Sequence, residues 1–268
     1  MERVTLEPAA RTVAERVIAE EESRRAHLVV YLSGAHAYGF PSPDSDLDLK
    51  AIHAAPTEEL LGFGAPATTF DRAEIVDGVE IDYTSNEIAH ALRGILDGNG
   101  NFLERVLGKT TLFEAAAMAS LRPLVRGALS RRFHRHYRGF AANQRAALAR
   151  SPTVKSLLYV LRTIESGIVL LERGEIETDL TIAIAGAEIE SEVLELVVRK
   201  RAGERTALDA PTVARWEDRL DAMFERLDAA HARSALPAEP MNAREVEAWL
   251  RAFRLEGRGL YRPQSWPI

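Results

Sequence analysis

The 268-residue chain contains no cysteine, which excludes disulfide frameworks, thiolate zinc and iron–sulfur sites, and thiol nucleophiles. No apolar run approaches the roughly 18 residues that cross a bilayer, and Met1 to Pro8 lack the apolar core of a signal peptide. The expectation is a cytoplasmic protein with no membrane partner. Acidic residues are missing from one long stretch. Between Ala115 and Ile164 there is no Asp or Glu, yet Arg122, Arg126, Arg131, Arg132, Arg135, Arg138, Arg145, Arg150, Lys155 and Arg162 all occur there. With a formal net charge of −6, the ten positive charges of that stretch leave −16 on the rest of the chain. The acidic total repels phosphate at long range, whereas the basic segment predicts a phosphate-seeking surface over residues 122–162. The alternative is that these arginines pair with acidic helices, such as the one bearing Glu15, Glu20, Glu21 and Glu22, as solvated ion pairs of little energetic worth.

Hydrophobic residues at 46% and charged residues at 28% fit a globular rather than a disordered chain, long enough for one large domain or two small ones. A helix is expected from about Ala9 to Arg25, with Val13, Val17 and Ile18 on one side. Leu28 to Leu32 reads as a strand covered on both faces. A turn-rich segment from Ser33 to Ser45 separates it from an alternating strand, Leu47 to His53. A third strand follows an Asp-Gly turn, Gly78 to Tyr83, and Ser85 opens a helix from Asn86 to about Leu96. Beyond about Thr110 helical spacing dominates: Leu121 to Leu129, Phe133 to Arg150, Val154 to Glu172, Ile189 to Arg201, Thr212 to Ala230 and Glu245 to Leu255. Leu180 to Ile184 is ambiguous between strand and helix, and Gly257 to Ile268 reads as an irregular strap.

The sharpest local feature is Ser45-Asp46-Leu47-Asp48-Leu49 at the start of a strand. Alternation puts Asp46 and Asp48 on one face, about 7 Å apart along the chain. Like charges so placed raise a pKa unless a cation neutralises them, and a hard divalent ion such as Mg²⁺ is the ordinary solution. Asp82 supplies a third carboxylate if its strand lies beside the first acidic one. An EF-hand is excluded because Leu49 stands where Gly is required and Ala55 where Glu is required. Upstream, Gly34 and Gly39 flank the small residues Ala35 and Ala37 after an apolar strand, which would let backbone N–H groups approach a phosphate. The spacing fits neither the Rossmann nor the P-loop pattern.

Taken together, Gly34-Ala35-His36-Ala37-Tyr38-Gly39 followed by Ser45-Asp46-Leu47-Asp48 resembles the signature of the polymerase β nucleotidyltransferase superfamily. With Gly98-Asn99-Gly100-Asn101-Phe102-Leu103-Glu104 it is similar to the predicted nucleotidyltransferases associated with RNA ligases in RNA repair. The resemblance covers roughly Leu28 to Leu107, with a weaker echo in Lys155, Tyr159 and Arg162. It implies an α+β protein: an N-terminal polymerase β-like domain, residues 1–110, with a small mixed sheet and helices, then a mainly helical domain, residues 111–268. It also implies that Asp46 and Asp48 bind two Mg²⁺ or Mn²⁺ ions, that Asp82 completes the catalytic metal site, and that Gly34 gives backbone donors to the triphosphate, beside Ala35, His36 and Ser45. The family's serine after the first glycine is Ala35 here, which removes one hydroxyl contact.

Two-metal logic then gives attack of an acceptor hydroxyl on the α-phosphorus of an NTP, with pyrophosphate leaving and Asp82 orienting or deprotonating the acceptor. Lys155, Tyr159 and Arg162 share a helix face by spacing and are expected to close over the nucleotide. Asn99 and Glu104 enter as candidates to shape its pocket, although such residues also serve as local caps. The acceptor is expected to be an RNA 3′ end, with a small molecule or a protein hydroxyl as the alternative. A further reading is a non-catalytic module that binds RNA or nucleotide.

Overall fold

A computed structural model describes residues 6–64, 66–203 and 206–257. Helix α1 (Pro8–Glu22) leads into strand β1 (Ala26–Leu32), every residue of which is buried, as its unbroken apolar run requires. A one-turn helix α2 (Gly34–Ala37) lies in the loop before β2 (Leu47–Ala54), and another, α3 (Thr57–Leu60), follows it. Strands β3 (Thr69–Val76) and β4 (Val79–Glu87) form a hairpin around Asp77 and Gly78. Both turn residues have positive φ, 50° and 80°, the geometry that an Asp-Gly pair favours in tight hairpins. Strand β5 (Thr111–Glu114) completes a sheet of order β3-β4-β2-β1-β5. All neighbours are antiparallel except β2 and β4, which run parallel.

Period-2 alternation sends the two faces of the sheet to different partners. Val30, Leu32, Leu47, Leu49 and Ile81 pack against Val13, Val17 and Ile18 of α1. Val29 and Ile52 point the other way. They meet α4 (Ile88–Leu96), α5 (Gly100–Leu107) and α6 (Met118–Gly127), together with Phe133 and Tyr137 from α7 (Phe133–Arg150). The helical region is built on α8 (Val154–Arg173), opened by a reciprocal Thr153–Ser156 capping box and closed by Gly174 at φ 66°. Around α8 pack α9 (Leu180–Ala183), α10 (Glu190–Arg201) and α11 (Ala210–Arg233), while α12 (Ala243–Leu255) lies on α6 and α4.

The architecture is α+β, with a mixed sheet in the N-terminal half and a mainly helical C-terminal region. Packing crosses residue 110: β5 pairs with β1, and Ala35 and Phe40 sit in the same apolar cluster as α8, α10 and α11. Three local expectations are corrected. Strand β4 runs on to Glu87, so Ser85 is buried in the sheet, and Glu87 caps α4 by accepting from the Ala89 N–H at 2.7 Å. The ambiguous run at Leu180 is a short helix, opened by Asp179 accepting from the Thr181 N–H. Strand β3 was not foreseen, because it is an edge strand exposed along most of its length and carries no apolar stripe. The expected strap lies, beyond Gly257, outside the described residues. Among the described residues no helix is long and apolar enough to cross a membrane.

Candidate active site

The parallel pairing of β2 and β4 sets Asp48 directly opposite Asp82, so the two carboxylates share a face on adjacent strands about 4.8 Å apart. Asp46 lies just before β2. Asp48 and Asp82 line a cavity of about 250 Å³ that also takes in Ser33, Gly34 and, from the helices, Glu104 and Tyr159. Burial pushes the Asp48 carboxyl up to about 6, and the Asp46 and Asp82 charges push the same way. Lys50 opposes them. It follows Asp48 at the same period-2 spacing, and its Nζ lies 2.9 Å from Asp82 Oδ1 and 3.6 Å from Asp48 Oδ1. Among the described residues no group of three or more His, Asp or Glu side chains is gathered into a metal cage as it stands. The donor set is nonetheless what a hard divalent cation takes. The carboxylates supply oxygen ligands, and the repulsion expressed at Asp48 is what such an ion relieves. Asp46, Asp48 and Asp82 therefore fit Mg²⁺ or Mn²⁺, with Lys50 as the counter-charge between two of them.

Gly34 closes one side of the site. Its φ is +64°, and a Cβ there would fall 1.8 Å from Asp48 Oδ2, so only glycine lets the loop backbone lie against that carboxylate. The Ser33 N–H donates to the Asp48 carbonyl at 2.8 Å and ties the loop to β2. From the cavity wall a chain of contacts runs into the core. Ser33 Oγ lies 3.1 Å from Tyr38 Oη, the Arg162 guanidinium lies 3.8 Å from the Tyr38 ring centroid, and Arg162 Nη2 donates to Glu104 Oε2. Tyr137 Oη also donates to Glu104, at 3.2 Å. Burial works against the Arg162 charge, but the adjacent Glu104 carboxylate, with Tyr38, Tyr137 and Tyr31, more than offsets it, and Arg162 stays protonated.

The sequence-derived candidates thus divide. Asp48, Asp82, Gly34, Glu104 and Tyr159 line one cavity, and Asp46 is close enough to raise the Asp48 pKa. Arg162 does not present its charge there: only 2% exposed, it is the partner of Glu104. Lys155 lies 5.8 Å from the Tyr159 ring centroid. The Ala35 methyl is buried in the apolar cluster of α8, so a serine hydroxyl there would be directed into a core. The serine in the cavity lining is Ser33. His36 is half-buried and pushed down by that burial, against the Asp46 charge. Ser45 Oγ accepts from the Ser42 N–H at 3.0 Å and from Lys200 Nζ at 3.2 Å, bracing the loop before Asp46. Asn99 caps α5 by accepting from the Asn101 N–H.

Of the ten basic residues in the acid-free stretch, Arg122, Arg132, Arg138, Arg145 and Arg162 reach carboxylates. Their partners include Glu217, Asp221 and Asp228 of α11 rather than Glu15, Glu20, Glu21 and Glu22. Glu20 and Glu21 pair with Arg72 instead. Besides Ser33, six lining residues are not among the sequence-derived candidates: Tyr31, Tyr38, Lys50, Asn101, Arg105 and Phe140. The alternation that exposed Asp46 and Asp48 also marks Lys50. Arg105 directly follows Glu104, and its Nη1 donates to the Ala51 carbonyl at 3.2 Å and to Asn86 Oδ1.

A mixed sheet with two facing strand aspartates beside a glycine bend, covered by helices, is the arrangement of a polymerase β-like nucleotidyltransferase. The chain belongs to the RlaP family, described as RNA repair pathway DNA polymerase beta family, whose model matches residues 10–252. It is 24% identical over 233 residues to an uncharacterised protein of Methanocaldococcus jannaschii, spanning 82% of this chain and 91% of that one. The crystal structure of a nucleotidyltransferase-like protein from Exiguobacterium sibiricum 255-15 aligns over 96% of this chain and 81% of that one, with 12% identity and a TM-score of 0.34.

Proposed function

We propose that the protein transfers a nucleoside monophosphate from an NTP to an acceptor hydroxyl and releases pyrophosphate. The observation that carries this reading is the register of β2 and β4, which puts Asp48 opposite Asp82 at a cavity shared with Gly34. Asp46, Asp48 and Asp82 would hold Mg²⁺ or Mn²⁺, which supplies charge neutralisation at the attacking and leaving oxygens of an in-line displacement. Gly34, with no side chain, leaves its backbone open to the triphosphate beside Asp48. Asp82, whose side chain is 51% exposed, is the carboxylate open to an incoming acceptor and takes the proton its hydroxyl gives up. The new bond joins acceptor oxygen to the α-phosphorus, and the bond from that phosphorus to the bridging oxygen breaks to free pyrophosphate. Lys50 lies where it can move from Asp82 to a phosphate oxygen once the carboxylates are otherwise neutralised.

The family's description as an RNA repair pathway family is what supports RNA as the acceptor class, and its 3′ hydroxyl is the end this reading assigns. The ion pairs that neutralise Arg122, Arg132, Arg138 and Arg145 favour the second reading, a small molecule or a protein hydroxyl, because they shrink the positive surface that RNA would need. Incubation with each α-³²P-labelled NTP, Mn²⁺, and RNA, small-molecule and protein acceptors separates the two. Label should pass to one acceptor class with wild type and to none with Asp48→Ala. Salt-sensitive RNA binding without any transfer of label would leave a binding module instead.

A further inference from the structure

The cavity that holds Asp48 and Asp82 is also lined by aromatic side chains, among them Phe140 and Tyr159. Phe140 of α7 lines it, is 37% exposed, and belongs to none of the three apolar clusters that form the core. More than a third of this large apolar ring stays open at the cavity, so part of the stabilisation its full burial would bring is forgone. The ring is not loose. His136, one helical turn earlier, lies nearly parallel to it at 20°, with centroids 5.7 Å apart. His136 is half-buried, and that burial pushes its pKa down, which favours the uncharged ring. Tyr159 of α8, on the same cavity, is held edge-on by Tyr38 and Phe40 at 5.6 and 5.7 Å.

We propose that Phe140, backed by His136, is the surface on which the nucleobase of the NTP stacks while its phosphates lie toward Gly34, Asp48 and Asp82. The assignment rests on the nucleotidyl-transfer reading and deepens it. Both demands of a nucleotide are met within one cavity: a flat apolar face for the base, and acids suited to the cations that accompany a triphosphate. Stacking of a base on an aromatic ring needs no hydrogen-bond partner and tolerates any base. Phe140 therefore governs how tightly a nucleoside triphosphate is held without choosing which one, and it has no part in holding the phosphates.

The test is calorimetric titration with Mn²⁺ present, using an α,β-methylene NTP and, separately, inorganic tripolyphosphate. Phe140→Ala should weaken the nucleotide roughly 5- to 150-fold, the range for loss of one stacked base, and leave tripolyphosphate unchanged. Phe140→Trp should restore nucleotide binding to within a few-fold of wild type. Equal weakening of both ligands by Phe140→Ala would overturn the assignment, as would an unchanged nucleotide affinity. If wild type transfers label from NTP while Phe140→Ala binds nucleotide normally, the stacking surface alone falls. If wild type binds no nucleotide, both readings fall together.

Discussion

Replacing Asp48 by Asn removes a charge that the folded protein holds at a cost. A carboxyl moved from 3.8 in the unfolded chain to about 6 in the fold burdens the folded state, once fully ionised, with about 3 kcal/mol. The sign follows from proton binding. The folded state keeps the proton to higher pH, so the stability it lends is complete below pH 4 and is lost as pH rises through 6. Asn keeps the shape and loses the charge, so Asp48→Asn should be more stable than wild type at pH 7.5 and nearly equal to it at pH 4. About 3 kcal/mol is a ceiling, because Lys50 sits 3.6 Å from Asp48 and loses part of its own compensation in the variant. In a chain of this length 1 kcal/mol moves Tm by about 2–4 °C, which predicts a rise of several degrees. Thermal unfolding should be followed in EDTA at pH 4, 5, 6 and 7.5. Parallel profiles for the two proteins, or a lower Tm for Asp48→Asn at pH 7.5, would refute the claim that Asp48 is strained by burial and by its neighbouring acids.

Glu104→Gln leaves the Arg162 guanidinium, only 2% exposed, without its carboxylate, and breaking such a buried pair costs about 3–5 kcal/mol. A large drop in Tm is expected by calorimetry, and an unchanged Tm would show that the pair does not hold α5 to α8. Lys50→Met removes the ammonium between Asp48 and Asp82, so Mn²⁺ titration should show affinity increased by about tenfold, one decade being about 1.4 kcal/mol. Weaker Mn²⁺ binding in that variant would contradict the counter-charge role.

Much of the site was legible because strand periodicity is a strict geometric rule. Asp48 within β2 and Asp82 within β4 needed only adjacent strands to face each other, while Asp46, just before β2, is near enough for its charge to act on Asp48. The same rule marks Lys50, which the search for like charges passed over. Arg162 misled because helical spacing tells which residues share a face and not which face is wet. Fifteen residues of α8 are buried, so the stripe of Lys155, Tyr159 and Arg162 runs from a partly exposed turn into the core. Ala35 is read differently in three dimensions: it packs with α8, and the serine that lines the cavity is Ser33, two positions earlier. The arginine-rich stretch gave charge but not pairing, because the partners on α11 lie many tens of residues away. Strand β3 was hidden for a simpler reason, since an exposed edge strand has no apolar face to leave a period in the sequence.

Asp46, Asp48 and Asp82 are proposed to hold divalent cations together beside Gly34. Electron paramagnetic resonance of Mn²⁺ titrated into the protein with an α,β-methylene NTP tests this most directly. Wild type should take up Mn²⁺ stoichiometrically, and Asp46→Asn, Asp48→Asn and Asp82→Asn should each lose tight uptake while remaining folded. Mn²⁺ bound equally well by wild type and by Asp48→Asn would contradict the account.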